Sequence, residues 1–194
     1  RLDELSRSAA PPFLSAYSAL GDLVRTKEAY VLGAGVKDGG IERGLEAILT
    51  EAARVQRHGF TPGEIEREKA DLLRSVETAY NEREKTESAV FASECADHFL
   101  SGAPMPGIEY EYRMFRDYLP GIEVKELNAL ASDLLAETNR VVLANAPEKP
   151  GASPPAEETL RAVFERVKAG KIAPYTDTVS ELPLVSGEPN PSRV

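Results

Sequence analysis

The chain has 194 residues, a length typical of one domain and short for two. Its 42% apolar and 28% charged residues are the composition of a globular protein, and no apolar run is long enough to cross a bilayer. A net charge of -9 without any basic cluster excludes a surface built to follow nucleic-acid phosphates. The single cysteine, Cys95, excludes an internal disulfide.

The first residues already follow a helical pattern, and no signal-like segment precedes them. We therefore expect the chain to be a piece of a longer polypeptide. Its two histidines, His58 and His98, lie far apart in the sequence. Chemistry that needs two neighbouring imidazoles would require the fold to bring them together.

Two extended stretches follow, at residues 13–24 and 29–37, with a polar connection at residues 25–28. An antiparallel hairpin is the simplest interpretation. Gly33 and Gly35 fall inside the second stretch, where glycine indicates a bulge or the close approach of another group.

Helical spacing begins at Ile41 and continues to Gly59, which predicts a helix that ends at this glycine. Thr61 and Glu64 form a capping-box pattern with proline between them, so a second helix begins there. We expect it to pass through Leu72 and Tyr80, to bend near residues 85–88 and to end around residue 100. The proline- and glycine-rich residues 101–107 predict a loop.

The rest of the chain predicts helices at 109–118, 124–136 and 156–169 and a strand at 140–144. Leu127, Leu130, Leu134 and Leu135 would be the buried face of the middle helix. The fold class is therefore α+β and helix-rich, an antiparallel sheet with helices packed on one face. Three strands are few for a stable sheet, so we expect an incomplete domain with an open sheet edge and self-association through that edge.

Several segments match a known pattern in both order and spacing: residues 40–55, 59–61, 64–73, 106–111, 119–120, 124–130 and 140–146. Together they resemble the pitrilysin/insulinase family of zinc metallopeptidases. The resemblance covers residues 11–147, and residues 172–184 are similar to the connector between the two halves of the long bacterial members.

The resemblance implies that residues 1–147 are most of one non-catalytic domain, the second in the N-terminal half of the parent protein. Residues 148–169 would be a connection with a terminal helix, and residues 170–194 an interdomain linker. The parent's zinc would be held in its first domain by an H-x-x-E-H helix and a later glutamate. The present sequence has no H-x-x-E-H, so no catalytic residue or metal ligand is assigned to it.

The implied partners are the zinc-bearing domain, the C-terminal half of the same protein and a peptide substrate enclosed between the halves. Family members use an arginine and a tyrosine near a strand to hold substrate, and Arg25 and Tyr30 resemble that pair, with a shorter interval. The alternative is a solvated turn arginine and a strand tyrosine packed on the sheet. The bacterial resemblance makes a periplasmic parent an expectation.

Cys95 and His98, three residues apart on a predicted helix, could be two metal ligands, although two more would be needed. The alternative is a buried structural cysteine beside a partly exposed histidine. We interpret His58 as a cation or donor at a helix C-terminus. The tyrosines at 110, 112 and 118 are expected in the core, with a chamber lining or a contact to the other half as the alternative.

Two functions therefore remain open. The chain is either a supporting domain of an active zinc endopeptidase, forming part of the wall of its substrate chamber, or a domain of a family member that has lost proteolysis and serves as an assembly subunit. A zinc motif elsewhere in the parent would separate the two.

Overall fold

The computed structural model describes residues 1–24, 26–134, 138–148 and 153–178. Two strands, β1 (Ser15–Val24) and β2 (Lys27–Gly35), form the sheet of this described part. The helices are α1 (Leu2–Ser6), α2 (Ile41–His58), α3 (Pro62–Asn81), α4 (Ser88–Ser101), α5 (Ile108–Tyr118), α6 (Val124–Leu134) and α7 (Glu157–Ala169). Single turns of 3-10 helix lie at Arg83–Lys85 and Leu119–Gly121. The helix-rich α+β class is confirmed.

The two strands form the predicted antiparallel hairpin, with Leu20 opposite Tyr30 and Tyr17 opposite Gly33. A Cβ atom at Gly33 would lie 2.4 Å from the Tyr17 ring. The glycine therefore lets the tyrosine lie across the neighbouring strand, which confirms the expected close approach.

The strand predicted at residues 140–144 is wrong: these residues have no regular secondary structure. Val141 and Leu143 are each 83% exposed. A strand is stabilised by hydrogen bonds to a neighbouring strand. Neither edge of the hairpin pairs with this segment in the described part of the chain.

A small core forms where α2 packs against α7 and β2. Gly44 of α2 is buried, and a Cβ atom there would lie 2.4 Å from Cγ1 of Val36, so a glycine allows α2 to approach the end of the hairpin. The buried hydrophobic side chains are Phe13, Ile48, Ile65, Leu119, Val163 and Val167.

The turn between α2 and α3 is built as predicted. Gly59 ends α2 with a φ of 72°, in the left-handed region that favours glycine. Thr61 and Glu64 form the capping box of α3, each accepting a hydrogen bond from the backbone N–H of the other. Asn128 of α6 accepts from the Phe60 N–H at 2.7 Å and donates to the Phe60 carbonyl, which ties α6 to this turn.

Arg1 adds a second layer to the same turn. Its Nε and Nη2 donate to the two oxygens of the Glu64 carboxylate, each at 2.6 Å, and Nη2 also donates to the Gly59 carbonyl. The Arg1 and Glu64 side chains are only 7% and 13% exposed. The guanidinium lies over the rings of Phe60 and Tyr175, 5.4 and 4.4 Å from their centroids.

The helices α3 and α5 pack together through aromatic rings. Tyr80 stacks on Tyr112 with 4.9 Å between ring centroids. Three predicted core positions on α5 and α6 are wrong, because Tyr110, Tyr118 and Leu130 are exposed and have no covering element in the described residues. Leu72 of α3 is also exposed. Leu135 and the side chain of Leu134 lie outside the described residues.

The C-terminal segment is fastened to α2 by basic side chains. Arg57 donates to the carbonyls of Val167, Lys168 and Gly170, the orphan acceptors at the end of α7. Arg54 donates to the Ala173 carbonyl. On the other side of the interface, Arg166 of α7 bridges Glu42 and Glu46 of α2.

Asp177 accepts from Arg67 of α3 at 2.8 Å, so the attachment continues beyond the residues that α2 holds. Residues 170–178 therefore follow the surface of α2 and α3. None of the described helices has the length and apolar content that a bilayer crossing demands.

Alanine substitutions at Gly59 and Gly102 distinguish the cost of backbone strain from the cost of steric crowding. Gly59 and Gly102 have nearly equal φ values of 72° and 74°, but a Cβ at Gly59 would lie 2.5 Å from Asn128 and one at Gly102 would meet nothing. We expect Gly102→Ala to lower the free energy of unfolding by about 1 kcal/mol. Gly59→Ala should lower it by roughly 1 to 3 kcal/mol more. Equal losses in urea unfolding would show that Asn128 moves away without cost.

The Arg1–Glu64 pair predicts a pH dependence. Burial raises the pKa of Glu64, but hydrogen bonds from Arg1 and Thr61 outweigh it, and the pKa lies below the usual 4.5. This stabilisation is present above the unfolded pKa and is lost as pH falls through the folded pKa.

Glu64→Gln should therefore lower the free energy of unfolding at pH 7 by roughly 1 to 3 kcal/mol, because Arg1 loses its charged acceptor. As the pH falls below 4.5, the free energy of unfolding should decrease less for Glu64→Gln than for the unsubstituted chain. Denaturant unfolding at several pH values measures both effects. Parallel pH curves for the two proteins would contradict the assignment.

Candidate functional site

The two histidines both contact backbone carbonyls, and the contacts lie in different parts of the fold. Nε2 of His58 is 2.8 Å from the carbonyl oxygen of Ile172, and Nδ1 of His98 is 2.7 Å from that of Ala103. A carbonyl oxygen only accepts, so each of these nitrogens carries the proton. His58 is in the last turn of α2 and acts as the predicted donor there.

Cys95 is exposed, so the predicted buried structural cysteine is wrong. The cause is the surroundings of α4: every side chain of this helix is exposed. Over the ranges that the structure describes, no three His, Cys, Asp or Glu side chains lie close enough to share a metal ion. Because His98 donates through Nδ1, only its Nε2 is left to bind a metal ion.

Tyr30 and Arg25 are the residues for which substrate contact was expected. Tyr30 lies in β2, and it shares one half-buried face with Leu32 and Ala34. Burial raises the pKa of the Tyr30 phenol, and a hydrogen bond with Ser18 lowers it in part. The phenol therefore remains protonated at neutral pH. Arg25 lies outside the described residues.

One cavity, of about 260 Å³, lies between α1, α2 and the C-terminal segment. Arg54 pairs with Glu51 at 3.1 Å, and the Tyr175 hydroxyl donates to Glu4 at 2.7 Å. This hydrogen bond, with burial, raises the pKa of Tyr175 to about 12. The lining residues are Arg1, Glu4, Leu5, Glu51, Arg54, Pro174, Tyr175 and Thr176.

These contacts join the residues of the cavity wall to one another. Among the described residues, the cavity lining contains Thr176 but no cysteine, serine or histidine. A second cavity, of about 50 Å³, lies between the start of α2 and residues 145–147 and has room for water only.

Sequence reasoning missed the basic side chains that hold the C-terminal segment. Arg54, Arg57 and His58 lie in the last turns of α2, where cations are common for local reasons alone. Their partners are more than 100 positions away in the sequence. The clustering of three bases near the end of one helix was the available signal, but it does not identify a distant acceptor.

No protein family model matches the chain. Among curated proteins, the zinc protease PQQL-like protein of Arabidopsis thaliana is 28% identical over 142 residues, which make up 73% of this chain and 15% of that protein. The chain thus spans a small part of the length of the curated relative that it matches.

The first half of the periplasmic protease PqqL from Escherichia coli superposes with a TM-score of 0.71 at 16% identity, over 91% of this chain and 38% of that one. The longer PqqL structure gives 0.75 at 15% identity, over 96% of this chain and 21% of that one. An insulinase family protease from Yersinia pestis gives 0.69 at 14% identity, over 87% and 36%. These structures share the fold.

The described hairpin and helices are thus the fold of one part of these longer proteases. The sequence match to a zinc protease agrees with that fold and extends over most of the chain. The chain therefore resembles part of a pitrilysin/insulinase family protease in both sequence and fold.

Proposed function

We propose that this chain is the non-catalytic second domain of the N-terminal half of a zinc metalloendopeptidase. The observation that carries the proposal is the match to the first half of PqqL over 91% of the chain, combined with a sequence that contains no H-x-x-E-H. The domain supports proteolysis by packing against the zinc-bearing domain and forming part of the wall of the substrate chamber.

The zinc of the parent is held outside this chain. Zinc in such an enzyme activates a water molecule that attacks a peptide bond. The residues here do not fit a zinc site, because His58 and His98 donate to separate carbonyls and have no clustered acidic or cysteine partners among the described residues. No catalytic step is assigned to them.

Side-chain contacts fix two parts of the chain, as a domain that forms part of a chamber wall requires. The α2–α3 turn is fixed by the buried Arg1–Glu64 pair, and the C-terminal segment is fixed by Arg54 and Arg57. The hairpin extends from this body, and its edges are unpaired within the described residues. We assign peptide contact to the hairpin, through Tyr30 and Arg25.

The first test uses the complete reading frame that contains this chain. We expect its protein product to bind one zinc ion, to cleave peptides and to lose activity with a chelator, because the H-x-x-E-H motif lies in another domain. The 194-residue chain alone should retain no stoichiometric zinc and cleave nothing. Metal analysis and a peptide-cleavage assay measure these outcomes.

Two results would contradict the proposal. Zinc held by the short chain and lost on Cys95→Ser or His98→Ala would place a metal site here. If the first domain of the complete protein has other residues in place of the zinc ligands, the assembly-subunit function is supported instead.

The second test addresses the hairpin in the complete protein. Tyr30→Phe removes one phenolic donor and Arg25→Ala one cation, so each should raise KM for a peptide by roughly three- to tenfold with little change in kcat. Tyr17→Phe is the matched control, because Tyr17 is on the opposite face of the same hairpin and is 58% exposed. Unchanged KM in all three variants would leave Tyr30 a packing residue.

A further inference from the structure

Residues 170–178, which we call the strap, are held against the body of the chain by side chains of two helices. Arg54, Arg57 and His58, near the end of α2, each donate to a backbone carbonyl of the strap. Every residue of a peptide carries such a carbonyl, so these donors bind a main chain without regard to its side chains. The end of α2 therefore contacts the strap as a groove contacts a bound peptide.

The start of α3 holds the carboxylate of Asp177. One carboxylate oxygen, Oδ2, accepts from Arg67 at 2.8 Å. A Cβ atom at Gly63, in the first turn of α3, would lie 2.7 Å from the same oxygen. The positive end of a helix dipole favours an anion at this place. The missing side chain at Gly63 thus leaves room for a carboxylate where the helix and Arg67 both attract one.

Tyr175 gives the strap a further point of attachment. Its ring lies 4.4 Å from the Arg1 guanidinium, and its hydroxyl donates to Glu4 of α1 at 2.7 Å. The Arg1 side chain is only 7% exposed and is fixed by Glu64, so the ring packs on a rigid surface. The strap is therefore recognised at its main chain, at a tyrosine and at an acid two residues later.

We call the surface formed by Arg54, Arg57, His58, Gly63 and Arg67 the α2–α3 groove. We propose that this groove is a peptide-binding site and that the strap is its resident ligand, bound within the same chain. The class of ligand is a peptide in which tyrosine is followed, two residues later, by an acidic residue. The proposal does not depend on the proposed function, because every contact that carries it lies among the described residues.

The direct test is binding of a separate peptide. Tyr175→Ala together with Asp177→Ala weakens the strap without shortening the 194-residue chain. The probe is a fluorescently labelled peptide of residues 170–178 with blocked ends. We expect it to bind this strap-weakened chain saturably in fluorescence anisotropy, with a Kd of roughly 0.1 mM. The unsubstituted chain should bind it at least roughly tenfold more weakly, because its own strap competes at an effective concentration of about a millimolar.

A matched pair of substitutions on α3 tests the carboxylate contact. In the strap-weakened chain, Arg67→Gln should raise the Kd of the peptide roughly tenfold, because the peptide carboxylate loses a charged donor. Arg74→Gln removes the same charge from the same helix, at an exposed side chain that pairs with Asp71, and should leave the Kd unchanged. A peptide that carries Asp177→Asn should bind the strap-weakened chain as weakly as the original peptide binds the Arg67→Gln variant.

Gly63 gives a second test, which needs no added peptide. Alanine in place of a helical glycine normally raises Tm, because glycine has the lower helix propensity. In the unsubstituted chain we expect Gly63→Ala to lower Tm instead, since the new Cβ takes the place of the Asp177 carboxylate. In the Asp177→Ala chain the same substitution should raise Tm. Thermal unfolding followed by circular dichroism measures both changes.

Three results would count against the proposal. A strap-weakened chain that keeps its helical signal but shows no saturable binding would overturn it. If that chain fails to fold, the glycine comparison decides, and a rise in Tm from Gly63→Ala in both backgrounds would overturn the proposal. A dimer of the unsubstituted chain that the free peptide dissociates, shown by sedimentation, would overturn binding within one chain and place the strap in the groove of a second copy.

Discussion

The fold depends on the turn between α2 and α3, where one buried ion pair joins four parts of the chain. Arg1 binds Glu64 through two hydrogen bonds, and Glu64 also completes the capping box with Thr61. The guanidinium lies against Tyr175 of the C-terminal segment. Because this carboxylate accepts from both Arg1 and Thr61, its loss would loosen the helix start and its covering residues together.

The hydrophobic core contributes less than is usual for a chain of this length. Six hydrophobic side chains are buried in the described residues: Phe13, Ile48 of α2, Ile65 of α3, Leu119, and Val163 and Val167 of α7. In most proteins of this length a larger hydrophobic core would hold these elements together. Here polar side chains of α2 contribute to that role. Arg57 donates hydrogen bonds to three carbonyls at the end of α7, and Arg166 of α7 forms ion pairs with Glu42 and Glu46 of α2.

Local signals in the sequence predicted the local structure well. The capping box at Thr61, the end of α2 at Gly59 and the approach of Tyr17 to Gly33 all depend on residues near in sequence or paired by a tight hairpin. The helix α7 was also predicted, because its apolar period is regular. Contacts such as Arg57 with α7 could not be predicted, since periodicity does not specify which distant element a polar side chain meets.

The wrong predictions share one physical cause. The strand at residues 140–144, the buried Cys95 and the buried Leu130 each required a partner element, and in each case the described residues provide none. Their apolar patterns are nevertheless those of buried segments. An apolar period predicts burial only where a neighbouring element is present to cover it. The segment at 140–144 and α4 are therefore two described parts of the chain whose apolar residues have no neighbouring element to cover them.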